Sequence, residues 1–406
     1  MIKAYKNFSQ ILTLESSLKK DGRNLKPEDV SIIENGTIVF NEDKIIWVGE
    51  DADLPAEYKF IESKNFEGHI LTPEIVDSHT HLVFGGDRSF EYSMRLNGAD
   101  YQEIADAGGG ILATMESTIT ASEQELFDLA VNRINDIYSY GVGTIEIKSG
   151  YGLTFESEKK MAYIIHRLKK HFKGRVQVFN TFLAAHAVPQ GFKNSQTYLK
   201  KIVLPLLKEL SRDDVIDFVD IFHEEGYFSY ADSKVLFDKA AEYGIKVKIH
   251  ADEFNDNKGA MLAAEHGAVS ADHLLCTTSD GIAALAKSKT VATLLPGTAF
   301  FLGKPLANAQ EFLKNGCKVS LASDYNPGSC HCDNLLLIAS ISAKTMGFNL
   351  AQLWSAITLN AAHALDLSDQ GALVPNLRPR FSIFKCERVD QITYNWGKNL
   401  CLRERN

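Results

Sequence analysis

Three histidines and one aspartate are the residues of this chain best suited to chemistry, because each stands at the end of a short apolar run. His79 and His81 form a His-x-His pair, and residues two apart in a strand point to the same face. His250 and Asp324 end two further runs. Three imidazoles and one carboxylate suit zinc or iron and leave a coordination position for water. The pattern therefore predicts a metal site at which water is the reagent.

Apolar runs typical of strands alternate with amphipathic helical runs between these residues. After Ser122, for example, a Ser-x-x-Glu capping box precedes an apolar stripe that ends near Gly141. The first strand precedes His79, and seven more are predicted at 144–147, 176–179, 218–222, 247–249, 269–272, 291–295 and 319–321. Eight strands alternating with helices predict an α/β fold, a (β/α)8 TIM-like barrel over residues 68–366.

Polar residues follow many of these predicted strands at their C-terminal ends. In a barrel of parallel strands all such ends meet at one mouth, where active sites lie. The residues expected there are His79, His81, Lys148, Tyr151, His186, His223, His250, Glu253, His273, Asp324 and Asn326. Their shared position favours one active site over a set of scattered surface residues.

The two ends of the chain predict a second, smaller unit. Asn35-Gly36 lies between two apolar runs and predicts a β-hairpin turn. Further strands are predicted at 44–49 and 381–385. Because tight hairpins make antiparallel pairs, these segments lie outside the parallel barrel. We expect residues 1–67 and 367–406 to form one small β-rich domain from both termini.

Composition narrows the class of protein. The chain has 406 residues, 45% of them hydrophobic and 23% charged, which is typical of a globular protein with a large core. Its net charge of −9 argues against a nucleic-acid partner. Because the chain lacks an apolar leader and any apolar run long enough to span a bilayer, we expect a cytoplasmic protein without a membrane partner.

The six cysteines are sparse and indicate no disulfide framework. Cys330-His331-Cys332 follows Asp324 closely and suggests a second metal site at first sight. A structural zinc would require a further cysteine pair at the usual spacing, and the chain has none. We therefore interpret this triplet as structural.

Seven segments across the predicted barrel resemble the metal-dependent amidohydrolase superfamily. Within it they are similar to the family that hydrolyses 4-imidazolone-5-propanoate to N-formimidoyl-L-glutamate in histidine degradation. The His-x-His motif marks only the superfamily, whereas Arg88 and the segments 148–153 and 324–329 are more specific. The matching segments are 77–88, 98–101, 148–153, 182–186, 250–253, 270–274 and 323–329.

The resemblance implies a ligand set and a pocket. One Zn²⁺ or Fe ion per chain is implied, because members with two metals carry a bridging lysine after the fourth strand and residues 222–226 contain none. The implied metal ligands are His79, His81, His250 and Asp324. The implied substrate contacts are Arg88, Tyr101, Tyr151, His186, Glu253, Asn326, Gly328 and Ser329. The resemblance also places His273 beside the metal.

These residue types suit the opening of a cyclic amide. Asp324 can accept a proton from water, and His273 can stabilise the oxyanion. Glu253, three residues after His250, can carry a proton to the ring nitrogen. We therefore predict Glu253, His273 and Asp324 as the catalytic residues. Arg88 is a planar fork that can hold the propionate carboxylate in two hydrogen bonds.

Two alternatives use the same residues. An aminohydrolase that deaminates a nitrogen heterocycle would share the metal ligands, but Arg88 argues against a neutral base as substrate. Ammonia release would distinguish the two reactions, because opening the imidazolone ring releases none. A non-catalytic barrel would be expected to have lost ligands, and every ligand position here holds a competent residue. We expect a small-molecule substrate as the partner and a homodimer as the assembly.

Overall fold

The structure is a computed structural model that describes residues 1–99, 103–104 and 107–403. The described residues form two β-sheets, a six-stranded sheet built from both chain ends and an eight-stranded sheet between them. No helix in this part of the chain combines the length and apolarity needed to cross a membrane.

The six-stranded sheet joins the two ends of the chain. Its strands are β1 (Lys3–Leu12), β2 (Ile32–Phe40), β3 (Ile45–Glu50), β4 (Ser63–Asn65), β5 (Ile70–Pro73) and β14 (Phe381–Phe384). Five of them follow the order β14-β5-β1-β2-β3, and β4 pairs with β1. β14 pairs antiparallel with β5, so the C-terminal part of the chain completes a sheet that the N-terminal part begins. Apolar side chains that include Phe8, Ile38 and Leu373 form its core.

The hairpin turn predicted at Asn35-Gly36 is wrong, because β2 continues through both residues. Gly36 pairs with Phe8 next to an irregularity in the β1–β2 register. A Cβ at Gly36 would lie 2.6 Å from the Ile11 side chain, so the glycine allows this close approach of the strands. The turn between β2 and β3 begins instead at Asn41, whose side-chain oxygen accepts two backbone hydrogen bonds.

The second sheet is parallel throughout and confirms the predicted barrel architecture. Its strands are β6 (Ile75–Asp77), β7 (Val142–Lys148), β8 (Gln177–Ala185), β9 (Phe218–His223), β10 (Lys246–Ala251), β11 (Ser270–His273), β12 (Val291–Leu294) and β13 (Val319–Leu321). The residues after β6 and β13 connect the first strand to the last. The backbone N–H of Asp324 donates to the His79 carbonyl at 3.0 Å, and His81 donates to the Tyr325 carbonyl at 2.9 Å. This connection places Asp324 beside His79.

Helices separate the barrel strands as predicted. The helix after Ser122 spans Glu123–Ser139, and the Ser122 hydroxyl accepts a hydrogen bond from the Glu125 N–H. The α-helices are α1 (Glu15–Lys19), α2 (Ser89–Leu96), α3 (Ile111–Thr120), α4 (Glu123–Ser139), α5 (Phe155–His171), α6 (Ser195–Tyr198), α7 (Leu204–Arg212), α8 (Tyr230–Glu242), α9 (Gly259–Glu265), α10 (Ser279–Ala286), α11 (Pro296–Phe301), α12 (Ala309–Lys314), α13 (Leu335–Thr345), α14 (Leu350–Ile357), α15 (Leu359–His363) and α16 (Asp390–Tyr394). Shorter helical turns lie at Pro27–Val30, Asp51–Asp53 and Ala56–Tyr58, and a π-helical turn lies at Leu199–Val203.

Candidate active site

The four predicted metal ligands come together at the C-terminal mouth of the barrel. His79 and His81 follow β6, His250 lies on β10, and Asp324 follows β13. All four side chains are buried. One ligand nitrogen from each histidine lies within 4.8 Å of the other two. Asp324 Oδ1 lies 3.5 Å from Nε2 of His79 and 3.5 Å from Nε2 of His81.

This donor set fits a metal ion. Ligand atoms about 2.1 Å from a tetrahedral zinc lie about 3.4 Å from one another, close to the two 3.5 Å separations found at Asp324. The Nε2 atoms of His79 and His250 are buried and have no hydrogen-bond partner among the described residues. Burial raises the pKa of Asp324 to about 6, and a cation beside the carboxylate would favour its ionised form.

Two buried aspartates contact two of the three predicted ligand histidines. His79 Nδ1 lies 2.6 Å from Asp272 Oδ2, and His250 Nδ1 lies 3.1 Å from Asp220 Oδ2. Asp220 belongs to β9 and Asp272 to β11. A carboxylate at the second ring nitrogen of a metal-binding histidine fixes its tautomer and ring orientation. The two aspartates thus leave the Nε2 atoms free to face the metal position.

A buried charge network lies beneath these aspartates. Lys148 Nζ lies 2.7 Å from Asp220 and 2.8 Å from Glu146. Lys248 Nζ lies 3.2 Å from Glu146 and donates to the Ser78 carbonyl at 2.8 Å. Burial disfavours the charged form of Lys148, but the carboxylates of Asp220 and Glu146 outweigh burial and raise its pKa. Lys148 therefore stays cationic in the barrel interior.

His273 and Glu253 lie beside the predicted metal ligands. The ring centroids of His273 and His250 are 5.1 Å apart, and His273 Nδ1 lies 3.7 Å from Glu253 Oε2. Burial, reinforced by the charges of Asp324 and Glu224, raises the pKa of Glu253 to about 8. Burial and the neighbouring His250 lower the pKa of His273. At neutral pH this pair is a carboxylic acid next to a neutral imidazole.

Tyr151 and His186 flank the predicted ligand His81. The His186 ring stacks on the His81 ring with centroids 5.3 Å apart, and the Tyr151 ring centroid lies 5.7 Å from that of His81. A contact of 3.1 Å between His186 Nδ1 and the Gly150 carbonyl orients the imidazole. Burial raises the pKa of Tyr151 and lowers the pKa of His186 to about 4, so both groups are neutral hydrogen-bonding partners.

Arg88 lies at the start of α2, held by an ion pair. Its Nε and Nη2 donate to the two carboxylate oxygens of Glu91 at 2.8 and 2.6 Å. The Gly110 N–H donates to the same carboxylate at 2.8 Å. A Cβ at position 328 would lie 1.9 Å from Arg88 Nη1, so Gly328 leaves the space in which the guanidinium lies. The Nε–Nη2 edge of the fork is therefore occupied by Glu91.

Asn326 organises the turn after Asp324. Its Oδ1 accepts hydrogen bonds from the backbone N–H groups of Gly328 and Ser329, each at 2.8 Å. Its Nδ2 donates to the Asp324 carbonyl at 2.7 Å. These predicted substrate contacts are thus one connected turn next to a predicted metal ligand. Tyr101, the remaining predicted contact, lies outside the described residues.

Comparison with known proteins assigns the chain to a family. A family profile with the description Amidohydrolase family matches residues 70–395. The chain belongs to the amidohydrolase family. It is 40% identical over 370 residues to the imidazolonepropionase of Paracoccus denitrificans (strain Pd 1222), which covers 91% of this chain and 92% of the relative. It is also 40% identical over 399 residues to the imidazolonepropionase of Geobacillus thermodenitrificans (strain NG80-2), with 96% and 93% coverage.

Solved structures of amidohydrolase-like barrels support the fold. A triazine hydrolase variant matches with a TM-score of 0.73 at 12% identity, over 98% of this chain and 92% of that chain. Guanine deaminase from C. acetobutylicum with bound guanine matches with a TM-score of 0.69 at 14% identity, over 99% and 98%. At these identities the likeness concerns the fold alone, and it confirms the predicted barrel.

Two polar features of this amidohydrolase do not join the candidate metal site. His223 contacts Ser233 Oγ at 3.1 Å and the Asn257 carbonyl at 3.0 Å, which uses both ring nitrogens. Within the described residues the only histidine, cysteine and carboxylate group with metal-binding spacing is the histidine triplet of the site. Cys330 and Cys332 belong to no such group, and His331 lies 3.1 Å from the Tyr325 hydroxyl.

The charged residues beneath the predicted ligands were not predicted from the sequence of this amidohydrolase. Glu146, Asp220, Lys248 and Asp272 received no role, although all four are fully buried. A signal for them is present in the sequence, since each is a charged residue inside a predicted strand of the barrel. In an interior-facing position such a residue requires a partner of opposite charge. The sequence does not specify which partner that is.

Proposed function

We propose that this amidohydrolase is an imidazolonepropionase, which hydrolyses the cyclic amide C–N bond of 4-imidazolone-5-propanoate to N-formimidoyl-L-glutamate. The observation that carries the proposal is the 38–40% identity, over 91–97% of the chain, to proteins with that name. The site supports it in two ways. A histidine and aspartate set that fits a metal lies beside a buried carboxylic acid, and an arginine lies against the Asp324 turn through Gly328.

We propose that His79, His81, His250 and Asp324 hold one zinc or iron ion per chain. A bound metal of this type would lower the pKa of water to about 7 and so supply a nucleophile at neutral pH. The protein contributes the ligand geometry, because the carboxylates of Asp272 and Asp220 hold the imidazoles of His79 and His250. Neither zinc nor iron is favoured by this ligand set.

Proton transfer in the proposed reaction involves Asp324 and Glu253. Hydrolysis forms a bond between the water oxygen and the ring carbonyl carbon, breaks the C–N bond and delivers a proton to the ring nitrogen. Asp324 accepts the proton of the attacking water, and the Thr298 hydroxyl, 2.6 Å from Asp324 Oδ2, orients this carboxylate. Glu253 is protonated at neutral pH and supplies a proton on the nitrogen side. His273 donates a hydrogen bond to the developing oxyanion.

Substrate recognition in the proposed pocket depends on Arg88. Because Glu91 occupies the Nε–Nη2 edge, the Nη1–Nη2 edge of the guanidinium is the one that receives the propionate carboxylate. The ion pair with Glu91 fixes the orientation of the guanidinium, so the Arg88 side chain loses less conformational entropy when the substrate binds. Tyr151 and His186 bind the ring as neutral partners, and Gly328 leaves the room that the Arg88 guanidinium occupies.

Loss of imidazolonepropionate ultraviolet absorbance tests the function directly. Purified protein reconstituted with zinc or ferrous iron should consume the substrate and release N-formimidoyl-L-glutamate without ammonia. Guanine and cytosine serve as control substrates, because a deaminase would release ammonia from them. Ammonia from such a ring, together with no turnover of imidazolonepropionate, would favour the aminohydrolase alternative.

A further inference from the structure

Lys148 connects the groups that hold the metal ligands, although it contacts no ligand histidine. Its side chain is completely buried at the last position of β7. Its Nζ lies 2.7 Å from Asp220 Oδ2 and 3.6 Å from Asp272 Oδ2. These two carboxylates belong to β9 and β11, so one ammonium group connects three alternate strands of the barrel. Alternate strands contribute the side chains of one interior layer in this fold.

The same two oxygen atoms also contact the ligand histidines. Asp272 Oδ2 lies 2.6 Å from His79 Nδ1, and Asp220 Oδ2 lies 3.1 Å from His250 Nδ1. A continuous buried chain therefore runs from His79 through Asp272, Lys148 and Asp220 to His250. Movement of the ammonium group would displace both carboxylates at once. Each carboxylate would then lose the geometry with which it orients an imidazole.

We propose that Lys148 is a positioning residue for the metal centre, which fixes the rings of His79 and His250 through Asp272 and Asp220. The inference rests on the proposed metal ligands but not on the proposed substrate. Partners of metal-binding histidines contribute about 10–100-fold to metal affinity. A single cation that holds two such partners should have an effect of the same order.

A second buried lysine provides a matched comparison. Lys248 is also completely buried, and it lies on β10, between the strands that carry Asp220 and Asp272. Its Nζ contacts the Ser78 carbonyl at 2.8 Å and Glu146 at 3.2 Å. Among the described residues, Lys248 forms no ion pair with Asp220 or Asp272, the two aspartates that contact the ligand histidines. Both lysines compensate buried negative charge, but only Lys148 contacts Asp220 and Asp272.

The experiment compares Co²⁺ binding by full-length, metal-stripped wild type, Lys148→Met and Lys248→Met, with a competing chelator. Visible absorption of bound Co²⁺ reports the ligand geometry, and far-ultraviolet circular dichroism checks folding. We expect Lys148→Met to weaken Co²⁺ binding by about 10–100-fold and to change the absorption bands. Lys248→Met should weaken Co²⁺ binding less than Lys148→Met does, because Lys248 forms no ion pair with Asp220 or Asp272 and acts on Asp272 only through longer-range electrostatics.

Loss of Lys148 leaves buried carboxylates without a cation and can prevent folding. The double variant Lys148→Met/Glu146→Gln removes one charge of each sign, keeps the net charge of the interior and still removes the contact with both aspartates. Wild-type Co²⁺ affinity and bands in either folded variant would overturn the proposal, as would an equal loss of affinity in Lys248→Met. Absence of Co²⁺ binding by wild type would instead overturn the proposed metal ligands.

Discussion

The inner and outer parts of the candidate site are built in different ways. The inner part, here called the floor, consists of side chains on barrel strands, and all of them are completely buried: Glu146, Lys148, Asp220, Lys248 and Asp272. The outer part, here called the rim, consists of residues in loops or at the start of a helix: Arg88, Glu91, Gly110 and Gly328. The floor is positioned by parallel strands that are hydrogen-bonded to each other. The rim is positioned chiefly by one ion pair and the backbone that packs around it.

This contrast separates residues that affect metal binding from residues that affect substrate recognition. In the floor, a lost partner leaves an uncompensated buried charge, so substitutions there should affect metal binding and folding together. In the rim, Arg88 is partly accessible and Glu91 is buried beside it, and a substitution of either changes how the substrate is held without touching the proposed metal ligands. Substitutions at the metal ligands, at the catalytic acid and at the rim should therefore give defects that decrease in this order.

Removal of the metal should have the largest effect. Dialysis against a chelator is expected to abolish hydrolysis, because water loses the group that lowers its pKa. Re-addition of zinc or ferrous iron should restore activity at one metal ion per chain. Elemental analysis and titration measure the stoichiometry. Full activity only at two metal ions per chain would contradict the single-metal assignment.

Asp324→Asn should fold and lose most of its turnover. An amide accepts no proton from water and is a weaker metal ligand, so kcat should fall by about 10²–10⁴-fold. The comparison is made at equal metal content, determined for the same samples, because metal loss would imitate the kinetic defect. Wild-type kcat in a metal-replete variant would remove Asp324 from the proton transfer.

Glu253 should determine the alkaline limb of the pH profile. Its pKa is raised to about 8, so the protonated form predominates at neutral pH and is lost as the pH rises through that value. We expect wild-type kcat/KM to fall above about pH 8. Glu253→Gln should lower activity by about 10²-fold and should lack this limb, because an amide does not titrate. An unchanged alkaline limb in this variant would assign the ionisation to another group.

Arg88→Met should reduce substrate recognition at the rim. Loss of a hydrogen bond to a charged group costs about 1.5–3 kcal/mol, or about one to two powers of ten in kcat/KM. Metal content should stay as in wild type. A ring analogue without the carboxylate should be hydrolysed poorly by wild type and hardly more slowly by the variant. Wild-type kinetics with imidazolonepropionate would contradict the role of Arg88.

Glu91→Gln is the matched, milder substitution at the rim. Arg88 keeps its charge but loses the carboxylate that holds it, so we expect a rise in KM of about fivefold with little change in kcat. Steady-state kinetics at fixed metal content measure the effect. A defect larger than that of Arg88→Met would mean that Glu91 contributes more than the orientation of the arginine, for example through Gly110.

Much of the fold could be predicted because hydrophobic periodicity is a local property. All eight barrel strands were predicted near their observed positions, and the Ser122 cap begins the helix Glu123–Ser139. The exception at Asn35-Gly36 has a physical cause. This dipeptide favours positive φ, and Asn35 has a φ of 46°. The pair nevertheless lies in a continuous strand, next to an irregularity in the β1–β2 register, and not in a turn. Only the pairing with β1 distinguishes these uses.

The sequence by itself determined the candidate metal ligands and the architecture that gathers them. Each of His79, His81, His250 and Asp324 stands at the end of an apolar run, and parallel strands bring such ends to one mouth. Only the tertiary structure decided which buried charges meet. Lys148 lies near Asp220 and Asp272 across the barrel, and Arg88 turns one edge towards Glu91. Such partners are selected by distances across the barrel and around its rim, and neither the spacing nor the composition of the chain encodes those distances.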